Sequence, residues 1–409
     1  MNRHPELVIP AGSLEVLKTA VTFGADAVCI GGGPCGLCAE DGEFSLEEMA
    51  EGICFAHDRG AKVYVAVDIL AHNSDIHAAR FYLETLKKID PDALIIADPG
   101  MFLTAREVWP EIDIHIAAQA NNVNYRIFCF WQEQGAKRVA AGQELSLEEI
   151  RKIREQVVEG LEIEANVHGA MCISYSGRYL LRNYLAEKDG SRDACAHSCR
   201  QEYAMEEETR PGEYMPVYEN DRGTYIFNSR DLCMVEHIPD LIAAGVDCLK
   251  IGGRAEDALY TAIVTRAYRR ALDDYAEDPA LYRAHMHWYQ EQVAGCACRR
   301  FTTGFFYGQS EEHTQICDYN RYSKGYTYLG IAAETDTEGR CMVGQRSIFS
   351  AGENIEIMKP DGTDLEVSVE SIQDAQSGHY QESATCPKQV LWVKLTQAPG
   401  KMDLLRRKD

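Results

Sequence analysis

Eight short apolar runs recur at a steady interval over the first 252 residues, with amphipathic stretches between them, and this alternation restricts the fold more than any other feature of the chain. The runs are Leu7–Ala11, Ala27–Gly31, Lys62–Ile69, Ala93–Asp98, Asp113–Gln119, Arg138–Gly142, Glu162–His168 and Cys248–Gly252. Strands that are apolar almost continuously are covered on both faces, which is the signature of a parallel sheet. The intervening SLEVLKTAVTFG, SLEEMAEGICFAHDRG, DIHAARFYLETLKKI and SLEEIRKIREQVV have helical periodicity. Three of these open on Ser with Glu soon after, as a capped helix N-terminus does. Eight such units predict an α/β fold, a (β/α)8 TIM-like barrel, over an open doubly wound sheet. The stretch ALYTAIVTRAYRRALDDY is the expected closing helix.

The alternation breaks once. Residues 169–232 form a long insertion after the seventh strand, and it carries GAMCISYSGRYLLRNYLAEKDGSRDACAHSCR. Long irregular insertions in a barrel commonly hold function. Cys172, Cys195 and Cys199 fall within it, and a second group, Cys35 and Cys38 in GGGPCGLC, lies far away in sequence. Closely spaced thiols fit a metal or cluster site better than disulfides in a reducing compartment. An iron–sulfur cluster takes four thiolates. Tetrahedral zinc uses the same donors, and small buried core residues are the structural alternative. By spacing, the fourth ligand is Cys35, Cys38 or Cys233. Cys54, Cys129 and Cys248 lie in apolar patterns and read as core. His115 and His57 read as structural histidines with satisfied hydrogen bonds.

Beyond residue 320 the texture changes to short strands around turns, including Pro360-Asp361-Gly362. This predicts a second, small all-β barrel domain over 321–409, after a barrel domain over 1–320. Formal net charge is −23, which disfavours non-specific attachment to nucleic acid or anionic lipid. Basic clusters are short: Arg269-Arg270, Arg299-Arg300 and Arg406-Arg407-Lys408. The first reads as a solvated helix face and the last as a tail. No window is apolar enough to span a bilayer and no signal region opens the chain, so the expectation is a cytoplasmic protein without a membrane partner.

Active sites of such barrels form at the carboxyl ends of the strands. Those ends carry Asp68, Asp98, Gln119, Asn121, Gln143, Glu144, His168, Lys250 and Arg254. They make a polar rim without an evident nucleophile–base pair, and Ser176-Gly177 lacks the G-x-S-x-G setting of a hydrolase elbow. Tyr175 and Arg178 are further candidates to orient substrate.

PAGSLEVLKTAVTFGADAV, VHGAMCISYSGR, RPGEYMPVYENDRGTYIFNSRDLCMVEHIPDL and LKIGGRAEDALYTAIVTRAYRRALD resemble the peptidase U32 family, and within it the branch that hydroxylates tRNA. The resemblance runs over nearly the whole chain. It implies a barrel with a [4Fe-4S] cluster, 5-hydroxylation of a wobble uridine in tRNA, and prephenate as the oxygen-source metabolite. Family ligands correspond to Cys172, Cys195 and Cys199. A further family cysteine falls where this chain has Tyr179, and the comparison assigns Cys35 to the vacated role, ahead of Cys38 and Cys233. Gln119, Asn121, His168, Tyr175, Arg178, Lys250 and Arg254 would then bind substrate. A U32-type (collagenase-like) peptidase, or a non-catalytic paralogue that keeps the metal site, are the competing readings. Neither a partner protein nor an oligomeric state follows from the sequence.

Overall fold

The computed structural model describes residues 4–31, 44–171, 205–206, 214–215, 218–220, 223–225, 230–253, 257–296, 301–308, 325–386 and 388–408. They fall into two compact units. One comprises Met1–Lys18, Asp26–Ala255 and Arg299–Asn320; the other comprises Thr19–Ala25, Glu256–Cys298 and Arg321–Asp409.

The first unit is a closed barrel. Strands β1 (Glu6–Ala11), β2 (Ala27–Gly31), β3 (Lys62–Val67), β4 (Ala93–Ile96), β5 (Asp113–Ile116), β6 (Arg138–Ala140) and β7 (Glu162–Ala170) pair in parallel and in chain order. The insertion contributes two short hairpins, β8 (Met205–Glu206) with β9 (Tyr214–Met215) and β10 (Tyr218–Asn220) with β11 (Gly223–Tyr225). Strand β12 (Asp231–Cys233) follows, and then β13 (Cys248–Ile251) closes the ring by pairing in parallel with both β7 and β1. The eight ring strands begin within a residue of the expected positions.

Helices α1 (Leu14–Thr22), α2 (Leu46–His57), α3 (Asn73–Ile89), α4 (Pro99–Val108), α5 (Tyr125–Glu133), α6 (Leu147–Gln156) and α7 (Ile238–Ala243) connect the strands. Both Ser-Glu signals that start α2 and α6 are full capping boxes, Ser45 with Glu48 and Ser146 with Glu149. Each box satisfies donors that the first helical turn leaves open. The fourth expected strand is shorter than predicted because Asp98 leaves it to cap α4, accepting from the Met101 amide at 2.9 Å.

The insertion also differs from expectation. Strand β7 continues past His168 to Ala170, and β12 returns antiparallel to it with Ala170 opposite Asp231 and Cys233 opposite His168. A short strand β14 (Phe301–Thr302) then pairs with β12. The chain between β7 and β12 therefore spans 171–230 rather than 169–232. Two glycines make the overhang possible. Gly169 has φ +111°, and a Cβ on it would sit 2.8 Å from the Gly252 carbonyl oxygen. The Gly252 amide in turn donates to the His168 carbonyl. Only a side-chain-free backbone allows β7 and β13 to approach this closely.

In the second unit, α8 (Ala258–Glu277), α9 (Pro279–Ala284) and α10 (Met286–Cys296) accompany a closed six-stranded antiparallel barrel. Its strands are β15 (Tyr326–Thr335), β16 (Arg340–Gln345), β18 (Asn354–Met358), β19 (Asp364–Asp374), β22 (Val390–Leu395) and β23 (Leu404–Lys408). Short strands β17 (Phe349–Ser350), β20 (Tyr380–Gln381) and β21 (Ser383–Ala384) trim the edges. Arg406-Arg407-Lys408 is thus a strand and not the expected tail. Arg406 is fully buried because its guanidinium bonds Glu356 at 2.8 Å and Asp364 at 3.0 Å. Asp364 also receives Arg266 of α8 at 2.8 Å. Among the described residues no helix is long and apolar enough to cross a membrane.

Candidate active site

Inward positions of the ring divide into two tiers. At the amino ends of the strands lies a charged layer that the sequence reading missed. Arg138, first residue of β6, is buried and reaches Glu6 at 3.0 Å, Glu162 at 2.7 Å, Glu164 at 3.7 Å and the Cys248 sulfur at 3.2 Å. Tyr64 donates to Glu6 at 2.6 Å. Lys250 closes the set against Glu164 at 3.1 Å. Burial pushes the Glu164 carboxyl upward, but Lys250 and Arg138 outweigh it and the group is held below the ordinary carboxylate range. Burial likewise raises the thiol of Cys248, against the pull of Arg138. A buried cation ringed by carboxylates is stable only when each charge has a partner, and here each does. The clue in the sequence was alternation: in Glu162-Ile163-Glu164 the apolar residue faces outward, so both acids point into the ring.

Small residues pack against this layer: Val8, Ala27, Cys29, Ala66, Ala93, Ala97 and Ala117 form one cluster with Tyr64, Ile95 and Cys248. His115 stands at the boundary, with its ring edge-on to Tyr64 at 4.6 Å. Its Nδ1 is buried with no hydrogen-bond partner, so it is not the satisfied structural histidine expected from the sequence. Burial, reinforced by the charges of Arg138 and Lys250, holds its pKa well below the usual histidine value. It is neutral at physiological pH. His57, by contrast, is satisfied by Asp92 at 2.9 Å.

At the carboxyl ends, the buried Asn122 side chain donates to the carbonyls of Ala117 and Ala140 at 3.0 and 2.8 Å. It thereby ties the ends of β5 and β6 together. The turn before it carries Gln119 and Asn121, the latter in left-handed backbone with φ 58°, and both side chains are partly exposed at the mouth. Asp68 is buried at the end of β3. His168 is buried beside the Phe301 ring at 5.6 Å, and burial lowers its pKa to about 3. Lys250 is paired with Asn166 across β7 and β13, and its ammonium reaches back to Glu164 at 3.1 Å.

Cys35, Cys38, Cys172, Cys195, Cys199, Tyr175, Arg178 and Arg254 lie outside the described residues. Cys233 is described and partly buried. Among the described residues no three His, Cys, Asp or Glu side chains converge as a metal site. Cys248 is core as expected, whereas Cys54 is exposed on α2 and Cys129 is partly exposed on α5.

Ring, overhanging seventh strand and β-barrel define a (β/α)8 barrel protein with an accessory all-β module. The model of peptidase family U32 matches residues 12–316, and the model of its C-terminal domain matches 324–406. The chain belongs to peptidase family U32. It is 35% identical over 408 residues to tRNA hydroxylation protein P1 of Bacillus subtilis, covering 100% of this chain and 96% of that protein. It is 34% identical to tRNA hydroxylation protein P of Escherichia coli, covering 96% and 94% of the two chains. A protein named collagenase from Porphyromonas gingivalis is 25% identical, with 91% and 92% covered.

Proposed function

We propose that this protein is an iron–sulfur enzyme of RNA modification that hydroxylates C5 of a wobble uridine in tRNA. The observation that carries this reading is end-to-end similarity to two proteins named for tRNA hydroxylation, at 35% and 34% identity. The cluster would be held by Cys35, Cys172, Cys195 and Cys199. The fold supports that donor set: β2 ends at Gly31, four residues before Cys35, and β7 ends at Ala170, two residues before Cys172. Both are carboxyl ends of ring strands, where barrel chemistry takes place. When bound, a [4Fe-4S] cluster supplies one-electron transfer.

The chain's own residues supply the rest. Gln119 and Asn121 offer amide donors and acceptors at the mouth for the Watson–Crick edge of an extruded base. His168, neutral at working pH, offers a hydrogen bond without charge. Glu164 fixes the Lys250 ammonium at 3.1 Å. By family resemblance the oxygen atom comes from a small metabolite, prephenate.

Mass spectrometry of tRNA from a deletion strain, with and without complementation, tests the reading. Loss of the C5-oxygenated wobble uridine, restored by wild type but not by Cys172→Ser, is expected. Unchanged uridines would overturn it. Anaerobic purification should give a brown protein with about four irons and four sulfides. One zinc in a colourless protein would replace the cluster assignment, and cleavage of collagen peptides by the purified protein would favour the peptidase reading.

A further inference from the structure

A recess lies wholly within the second unit. It encloses about 350 Å³ between the start of α8, the end of α10 and strand β15, at the lower end of the roughly 300–1,000 Å³ typical of small-ligand sites. Asp257, Tyr260, Ile263, Tyr326, Tyr328 and Arg346 line it.

Three observations define its chemistry. First, the Tyr326 ring is fixed. The Arg406 guanidinium lies 3.8 Å from its centroid, and Arg406 is itself buried and locked by Glu356 and Asp364. Gly295 admits the ring edge, since a Cβ there would stand 2.8 Å from Tyr326 Cε2. Second, cations flank the aromatic strand. Tyr326 is paired with Lys408 and Tyr328 with Arg406 across the β15–β23 ladder. Lys408 and Arg346 are both exposed. Third, Asp257, the only carboxylate among the described residues of the lining, already caps α8 by accepting from the Tyr260 amide at 2.8 Å. One engaged carboxylate makes a poor divalent-cation site, and the polar tyrosine rim makes a poor lipid site. Aromatic faces with hydroxyl and carboxylate acceptors, and guanidinium and ammonium groups outside, suit an unstacked nucleobase and its phosphate.

We propose that this recess holds one unstacked nucleotide of the RNA substrate, its base against Tyr260, Tyr326 and Tyr328 and its phosphate against Arg346 and Lys408. The assignment rests on the RNA-modification reading.

The test uses the full-length protein, purified anaerobically, with purified tRNA. Affinity and its salt dependence are measured for wild type, Tyr260→Leu, Arg346→Glu and Lys408→Glu, and a tRNA carrying 4-thiouridine is photo-crosslinked and its contacts mapped. Tyr260→Leu should weaken binding roughly 5- to 160-fold, the range one stacked base supports. Arg346→Glu should weaken it and lower the salt slope by about one. Crosslinks should fall on Tyr260 or Tyr326. Should Tyr260→Leu misfold, the two exposed charge reversals decide the matter. Wild-type affinity and slope in both reversals would remove the recess while leaving the RNA reading intact. A wild-type protein that binds no tRNA would remove both.

Discussion

Replacing Arg138 by methionine is the sharpest probe of how the barrel is held together. The substitution roughly preserves volume but deletes the one cation shared by Glu6, Glu162 and Glu164. The three acids do not lose equally. Glu162 is about one-third exposed and can be rehydrated, so its loss is that of a surface pair, under about 1 kcal/mol. Glu164 retains Lys250 at 3.1 Å. Glu6 keeps the Tyr64 hydroxyl at 2.6 Å and a longer contact to Lys62 at 3.5 Å, and it is left with most of the uncompensated charge. Stripping one partner from a buried pair costs about 3–5 kcal/mol, and these remaining contacts place Arg138→Met at about 3 kcal/mol. At roughly 2–4 °C per kcal/mol for a domain of this size, the barrel transition in calorimetry should fall by about 6–12 °C. Adding Glu6→Gln removes the stranded charge and should recover a substantial part of the loss. A single variant that melts with wild type, or a double variant no better than the single, would refute the claim that this charged tier is a mutually dependent network.

Two further outcomes are expected. His115 and His168 both titrate below the ordinary value of 6.5, His168 at about 3. The folded state therefore stays neutral where the unfolded chain takes up protons. Their contribution is complete above pH 6.5 and is lost as pH falls below it, each at about 1.4 kcal/mol per pH unit. Urea midpoints between pH 7.5 and 5.5 should show this, and His115→Gln should remove one proton from the slope; a flat profile would contradict the buried-neutral assignment. Gly169→Ala places a Cβ against the Gly252 carbonyl at a positive φ. It should destabilise by about 1–3 kcal/mol, read as a lowered melting temperature, whereas an unchanged one would mean that β7 and β13 part without cost.

How far the sequence could be read depended on how local the signal was. Period and capping are local, so the ring strands, the Ser45 and Ser146 caps and the β-rich C-terminal domain were all legible. Arg406-Arg407-Lys408 was misjudged because three charges at a chain end look solvated. Only the ladder to Tyr326 and Tyr328 shows that the first of them is core. The Arg138 tier was invisible for a related reason: Glu6, Arg138, Glu162 and Glu164 are distant in sequence, and nothing short of ring closure reveals that they share one layer. His115 looked ordinary, because a missing hydrogen bond has no sequence signature.

The clasp formed by Ala170 and Asp231 has an implication for how such proteins diversify. About sixty residues separate Ala170 from Asp231, which face each other at the end of the three-pair antiparallel ladder between β7 and β12. Once that ladder is made, lengthening or exchanging the intervening chain costs only a slowly growing closure entropy, about 0.6 kcal/mol per doubling. The ring can thus keep its geometry while the sequence between Ala170 and Asp231 is rewritten, leaving one scaffold free to meet different substrates.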